Sequence, residues 1–242
     1  MWRWTFRRPN KRDGHGCELN KNIVYFFRLA SGEDHRFEVQ FNRPERDGEL
    51  PSWTRLETDK CPNCPLPDVP RARCPAATDL VPLIERFSAL ASIDKINVRV
   101  ITEQYEARKH TDSQTALSAL MGLILATSAC PILGKLRPLA HTHMPFATPT
   151  EMVYRIASMH FFGNFLRDEP VGLEGLDGFF ADIDKLNHAF ARRLRRAVAS
   201  DAGINALIML HSRATLASLS IEPELKNIRR WFGETGAAPA NG

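Results

Sequence analysis

Four of the five cysteines, Cys61, Cys64, Cys74 and Cys130, are each followed directly by proline. In Cys61-Pro62-Asn63-Cys64 the spacing brings two thiols within chelating reach of one ion, as in zinc knuckles and iron–sulfur loops. Pro62 holds Cys61 extended and leaves the N–H groups of Asn63 and Cys64 free to bond its sulfur. Pro65 and Pro67 remove two such donors from the second half of the motif. Cys74 follows in the same Pro-rich stretch, and Cys130 can join the group only through folding. His141-Thr142-His143 offers imidazoles as well. In an extended segment positions i and i+2 project to one side, so both rings could face one ion. The candidate ligands are therefore Cys61, Cys64, Cys74, Cys130, His143 and His141, with zinc as the expected ion because soft ligands in a tetrahedron suit it.

Three readings of this set stay open. One is a metal site. The second is a metal-free packed cluster, since a lone C-x-x-C is a moderate signal and buried cysteine is common in cores. The third is a reactive thiol, for which Arg71 and Arg73 beside Cys74 would favour the thiolate. The expected function is accordingly a binding or regulatory protein with a Cys/His, zinc-type site. The alternative is an enzyme using the same cluster as an open metal position or a low-pKa thiol. A further alternative is nucleic-acid binding through the basic N-terminus and Arg192, Arg193, Arg195 and Arg196, although four such charges within little more than one helical turn more often form a solvated face. No G-x-S-x-G, H-E-x-x-H or phosphate-loop signature occurs.

Composition narrows the class without naming an activity. The 242 residues are 43% hydrophobic and 25% charged, an ordinary globular balance and not that of a disordered chain. The net charge is +4, but residues 1–12 hold five basic residues and no acid, so the rest carries −1. Nucleic acid is therefore not the expected partner, and homo-oligomerisation stays open. Arg7-Arg8 is followed by Pro9-Asn10-Lys11-Arg12, where an export signal needs an apolar run. A soluble, cytoplasmic protein is expected, and its cysteines would then be free, metal-bound or catalytic instead of disulfide-bonded. Residues 113–134 carry no charge, but their Ser, Thr and Gln content suits a buried helix better than a membrane span.

The elements that must position these residues follow from periodicity. Trp2, Trp4 and Phe6 alternate with polar residues, as do Phe37, Val39 and Phe41, and Tyr25, Phe27 and Leu29 lead into a turn at Ser31-Gly32. A further strand is expected at residues 96–100. The Pro-rich stretch 43–77 reads as irregular loop, followed by a helix with Asp79 as N-cap and Pro82 in its first turn. From Asp112 the pattern is helical: 112–129, 148–167 opened by the Thr148-Pro149-Thr150-Glu151 capping box, then 176–199, 201–219 and 223–232. The expected fold is α+β, a small antiparallel N-terminal sheet packed on a C-terminal bundle of about five helices. Residues 1–20 form a basic, aromatic segment. Residues 21–232 form one domain, strand-rich over 21–102 and helical over 103–232, and residues 233–242 a tail. His160 and His211 read as core histidines, Asn187 and Asn205 as buried hydrogen-bonders, and Asp184/His188 as a generic i,i+4 pair.

Several segments together resemble an uncharacterised bacterial family, a domain of unknown function. They are Cys61-Pro62-Asn63-Cys64-Pro65-Leu66, Cys74-Pro75, Thr127-Ser128-Ala129-Cys130-Pro131, Leu136-Arg137-Pro138-Leu139-Ala140 and His143-Met144-Pro145-Phe146. The run from Asn187 through Arg193-Leu194-Arg195 to Asn205-Ala206-Leu207 is similar to the family's C-terminal part. The resemblance covers most of residues 23–232 and implies no activity. It matches His143 but not His141, which places His141 below the other candidate ligands.

Overall fold

The computed structural model describes residues 22–44, 48–70, 72–197 and 221–233. The expected strand at Trp2–Phe6, the helix 201–219, and Cys17, Arg71, Asn205 and His211 lie outside them.

Alternation builds the sheet. In β1 (Asn22–Leu29) Ile23, Tyr25 and Phe27 are buried, and in β3 (Lys95–Ile101) Ile96, Val98 and Val100 are buried. β2 (Asp34–Gln40) returns from β1 through a turn in which Gly32 takes a φ of +88°, a left-handed conformation that glycine adopts without strain. The four antiparallel strands run in the order β2-β1-β3-β4, with Tyr25 opposite Val100 and Phe27 opposite Val98. One face is wet, with ion pairs such as Arg28–Asp34 and Arg99–Glu106; the other enters the core, as an antiparallel sheet permits.

β4 (Glu106–Asp112) departs from the expectation that the chain is helical from residue 103. It is an edge strand of mostly exposed Glu, Arg, Lys and His, so it shows no apolar alternation. Charge along an unpaired edge discourages sheet-to-sheet association.

The Pro-rich stretch is also more ordered than proline density suggests. Ser52–Thr54 forms a short 3-10 turn, and Arg55 bridges Arg73 in antiparallel fashion. Leu56 N–H donates to Ala72 O at 2.8 Å and Cys74 N–H to Thr54 O at 2.8 Å. Helix α1 (Pro75–Phe87) begins earlier than expected: Cys74 is its N-cap and Pro75 its first residue. Proline at that position loses no helical hydrogen bond, which makes it the stronger start signal. Pro82 consequently lies inside the helix. Asp79 is not a cap but pairs with Arg43 at 2.9 Å.

Helix α2 (Ser113–Ala126) is capped by Asp112, which accepts from Thr115 N–H at 2.8 Å, and it is buried on most sides, as its uncharged sequence requires. A 3-10 turn (Leu133–Leu136) leads into the short α3 (Arg137–His141). α4 (Pro149–Leu166) opens on the expected capping box, Thr148 N–H donating to Glu151 Oε2 at 2.7 Å and Glu151 N–H to Thr148 Oγ1 at 3.3 Å. α5 (Leu176–Ala197) buries Leu186, Phe190 and Leu194 in the same core as β1, β3, α1 and α2. The helix Ile221–Trp231 packs against α4. The fold is α+β. Among the described residues no helix is long and apolar enough to cross a membrane.

Candidate functional site

The four Cys-Pro cysteines arrive from separate segments. Cys61 and Cys64 share a turn closed by Cys64 N–H donating to Cys61 O at 3.0 Å. That turn docks on α5: Asn63 Nδ2 donates to Asp182 O at 3.0 Å, and Cys61 Sγ lies 4.0 Å from Leu186 O. Cys74 stands at the N-terminus of α1, and Cys130 follows the end of α2. All four are free thiols, Cys74 buried and the other three partly so. Every pairing among the four sulfurs is close enough to be felt electrostatically.

The proline steps have a common local effect. After Cys130-Pro131 the chain turns so that the N–H groups of Leu133 and Ile132 face the Cys130 sulfur, and after Cys74-Pro75 the Ala77 N–H faces Cys74. At Cys74 the approach is not close enough to close a cap hydrogen bond. Each of these donors favours negative charge on sulfur. Burial acts the other way and wins in the metal-free protein. Desolvation, reinforced by Cys74, Cys64 and Cys130, pushes the Cys61 thiol up from 9.0 to about 12, and burial also raises Cys74 and Cys130.

The residue that sequence reasoning misplaced is Arg193. The run Arg192–Arg196 was expected as one solvated basic face, yet Arg193 is only 1% exposed. Its guanidinium donates to the carbonyls of Trp53 at 2.8 Å, Arg55 at 2.5 Å and Leu56 at 3.1 Å. Its Nε has no partner, and among the described residues no carboxylate pairs with it. The nearby groups its charge favours are the thiolate forms of Cys61 and Cys74. Arg192 and Arg196 face outward to Asp59, at 3.8 and 2.6 Å. The signal for Arg193 was its place on the stripe Leu186, Phe190, Arg193, Leu194, whose spacing of three and four belongs to a buried helix face. Arg73, expected beside Cys74, instead donates to Pro51 O at 3.1 Å and Thr54 Oγ1 at 2.8 Å.

The histidines are not with the cysteines. His141 ends α3, so the segment is not extended and the two rings diverge: His141 packs edge-on to Phe41, with centroids 5.0 Å apart, while His143 Nε2 meets Tyr25 Oη at 2.6 Å. Among the other candidates, His160 Nε2 bonds Glu174 O at 2.9 Å, Asn187 is buried, and the Asp184–His188 pair is solvent-exposed.

As the side chains stand, no group of three or more His, Cys, Asp or Glu among the described residues is arranged to hold a metal ion. The four cysteines supply the donor type and number of a tetrathiolate.

The chain belongs to a family described as a domain of unknown function, DUF6901, whose model matches residues 23–233. No curated protein matches the chain, and no solved structure does.

Proposed function

We propose that the chain is a binding or regulatory protein whose Cys61, Cys64, Cys74 and Cys130 hold a structural zinc ion that orders the Pro-rich loop against α1, the end of α2 and α5. The observation that carries this reading is Arg193. A fully buried guanidinium that meets only carbonyls, keeps one N–H unpartnered and lies near the thiols of Cys61 and Cys74 lacks a compensating anion. Four thiolates around a dication carry a net −2, which supplies that anion and also removes the penalty that burial places on each thiolate. The N–H groups of Leu133, Ile132 and Ala77 are donors of the kind that surround metal-bound sulfur. A closed four-sulfur site leaves no position for substrate, which favours a structural role over a catalytic one. The reactive-thiol alternative is poorly supported, because burial raises the pKa of Cys61, Cys74 and Cys130.

The test is elemental analysis of protein purified without a metal-affinity step. About one equivalent of zinc is expected. Less than about a tenth of an equivalent of any transition metal, with freely titrating thiols in the folded protein, would reject the reading.

A further inference from the structure

A cavity of 160 Å³ lies where α2, α3, α4 and α5 meet, lined by none of the four clustered cysteines. Its origin is in the sequence of α2, which turns Ser118, Ala119, Gly122 and Ala126 toward it. Opposite them stand Ile156 of α4 and Phe180 of α5. Short side chains facing branched and aromatic ones leave space that rigid helices cannot close. For scale, an apolar cavity of about 150 Å³ holds a benzene molecule.

Two polar features interrupt this apolar wall. Ser118 is fully buried, and its Oγ has no hydrogen-bond partner. An orphaned buried hydroxyl is costly to leave unmade, so it points to a partner that the chain does not itself supply. Arg155 is the second. Its Nη2 donates to Leu139 O and Thr142 O, both at 2.8 Å, while Nε and Nη1 have no acceptor among the described residues. Burial lowers the Arg155 pKa, the sign of a cation short of solvation. The nearest acid, Glu151, is engaged in the α4 capping box. His143, Met144 and Pro145 line both this cavity and an outer recess that carries Tyr105.

We infer that this cavity binds a small organic acid with a compact aromatic or branched body, its apolar part beside Ile156 and Phe180 and its carboxylate on Nη1 of Arg155. Nη1 is the terminal nitrogen left to donate, and a hydrogen bond from a guanidinium to a carboxylate is charge-assisted. Ser118 supplies one further hydrogen bond to a polar atom of the ligand. The inference is independent of the zinc reading, since the two sites share no residue.

The test uses the full chain and two probes of one shape, phenylacetate and its neutral amide, phenylacetamide, with toluene as a purely apolar control. Calorimetry or NMR titration is expected to show one saturable site at which phenylacetate binds at least tenfold tighter than phenylacetamide. Cross-relaxation should connect the phenyl ring to the Ile156 methyl groups. Arg155→Met should remove the preference for the acid and leave toluene binding unchanged, and retained toluene binding shows that the variant is folded. Equal affinity for acid and amide in the wild type overturns the proposal without reference to any variant. So does the absence of saturable binding by phenylacetate, or an acid preference that survives in Arg155→Met.

Discussion

The Tyr25 hydroxyl and the His143 imidazole lie 2.6 Å apart and tie a central strand of the sheet to the turn that follows α3. Burial holds the Tyr25 phenol well above its ordinary pKa, with Tyr105 adding to the effect, so the ring is neutral throughout the physiological range. Tyr25→Phe keeps the ring's packing on Phe27 but removes the hydroxyl. The expected loss is about 1–2 kcal/mol, a net hydrogen bond plus part of the desolvation of the imidazole left behind. Urea denaturation should show a lower midpoint with an unchanged slope.

Removal of metal is expected to act through the loop. Chelator should lower the melting temperature, and Cys61→Ser or Cys64→Ser should lower it without chelator, because an ion bound only by the folded state stabilises by mass action. Cys17→Ser is the control. Cys17 is followed by glutamate and should be silent in both assays. Equal melting curves with and without chelator would show that no metal was holding the loop.

The pH dependence should reverse with metal. In metal-free protein the folded pKa of Cys61 is raised to about 12, so between 9.0 and that value the folded state binds more protons than the unfolded one. Stability is then fully present below pH 9 and is lost as pH rises through that window. With zinc bound the sulfurs are already thiolates, protons compete with the ion, and stability falls as pH drops below neutrality. Urea midpoints across pH should therefore slope in opposite directions for chelator-treated and untreated protein. Parallel profiles would count against the site.

Arg193→Met should destabilise by about 3 kcal/mol or more, since it strands the carbonyls of Trp53 and Leu56 and leaves Arg55 O with only the Thr58 N–H. Arg193→Lys should rescue only part of this, because an ammonium cannot reproduce the planar fork. Arg192→Ala and Arg196→Ala, whose side chains lie at the surface on Asp59, should each cost less than about 1 kcal/mol. Comparable losses at all three positions would show that Arg193 is not the buried anchor.

These expectations separate what sequence pattern carries from what it does not. β1, β2 and β3 were legible because each buries one face, so polarity alternates along the chain. α4 was legible because Thr148 and Glu151 sit at the spacing a capping box needs. β4 was not, because an edge strand with charged residues on both sides has no period. The start of α1 was misplaced because Asp79 resembles a cap, whereas Cys74 caps the helix through its backbone alone. The four cysteines that influence one another electrostatically share the repeated Cys-Pro step. Their contact with α5 could not be read, since the direction of Arg193 depends on which face of a long helix the core selects. The same limit hid the diverging histidines: the i, i+2 argument holds only in extended chain, and His141 closes a helix.

The Arg193 bonds also order events in time. The carbonyls they satisfy lie 137 to 140 residues earlier in the chain. During synthesis the sheet and α1 are complete long before α5 leaves the ribosome, so the carbonyls of Trp53 and Leu56 wait for a donor that is translated late. Until then the turn of Cys61 and Cys64 also lacks the α5 surface on which Asn63 docks. The Pro-rich loop is therefore made early and completed late, when Arg193 arrives.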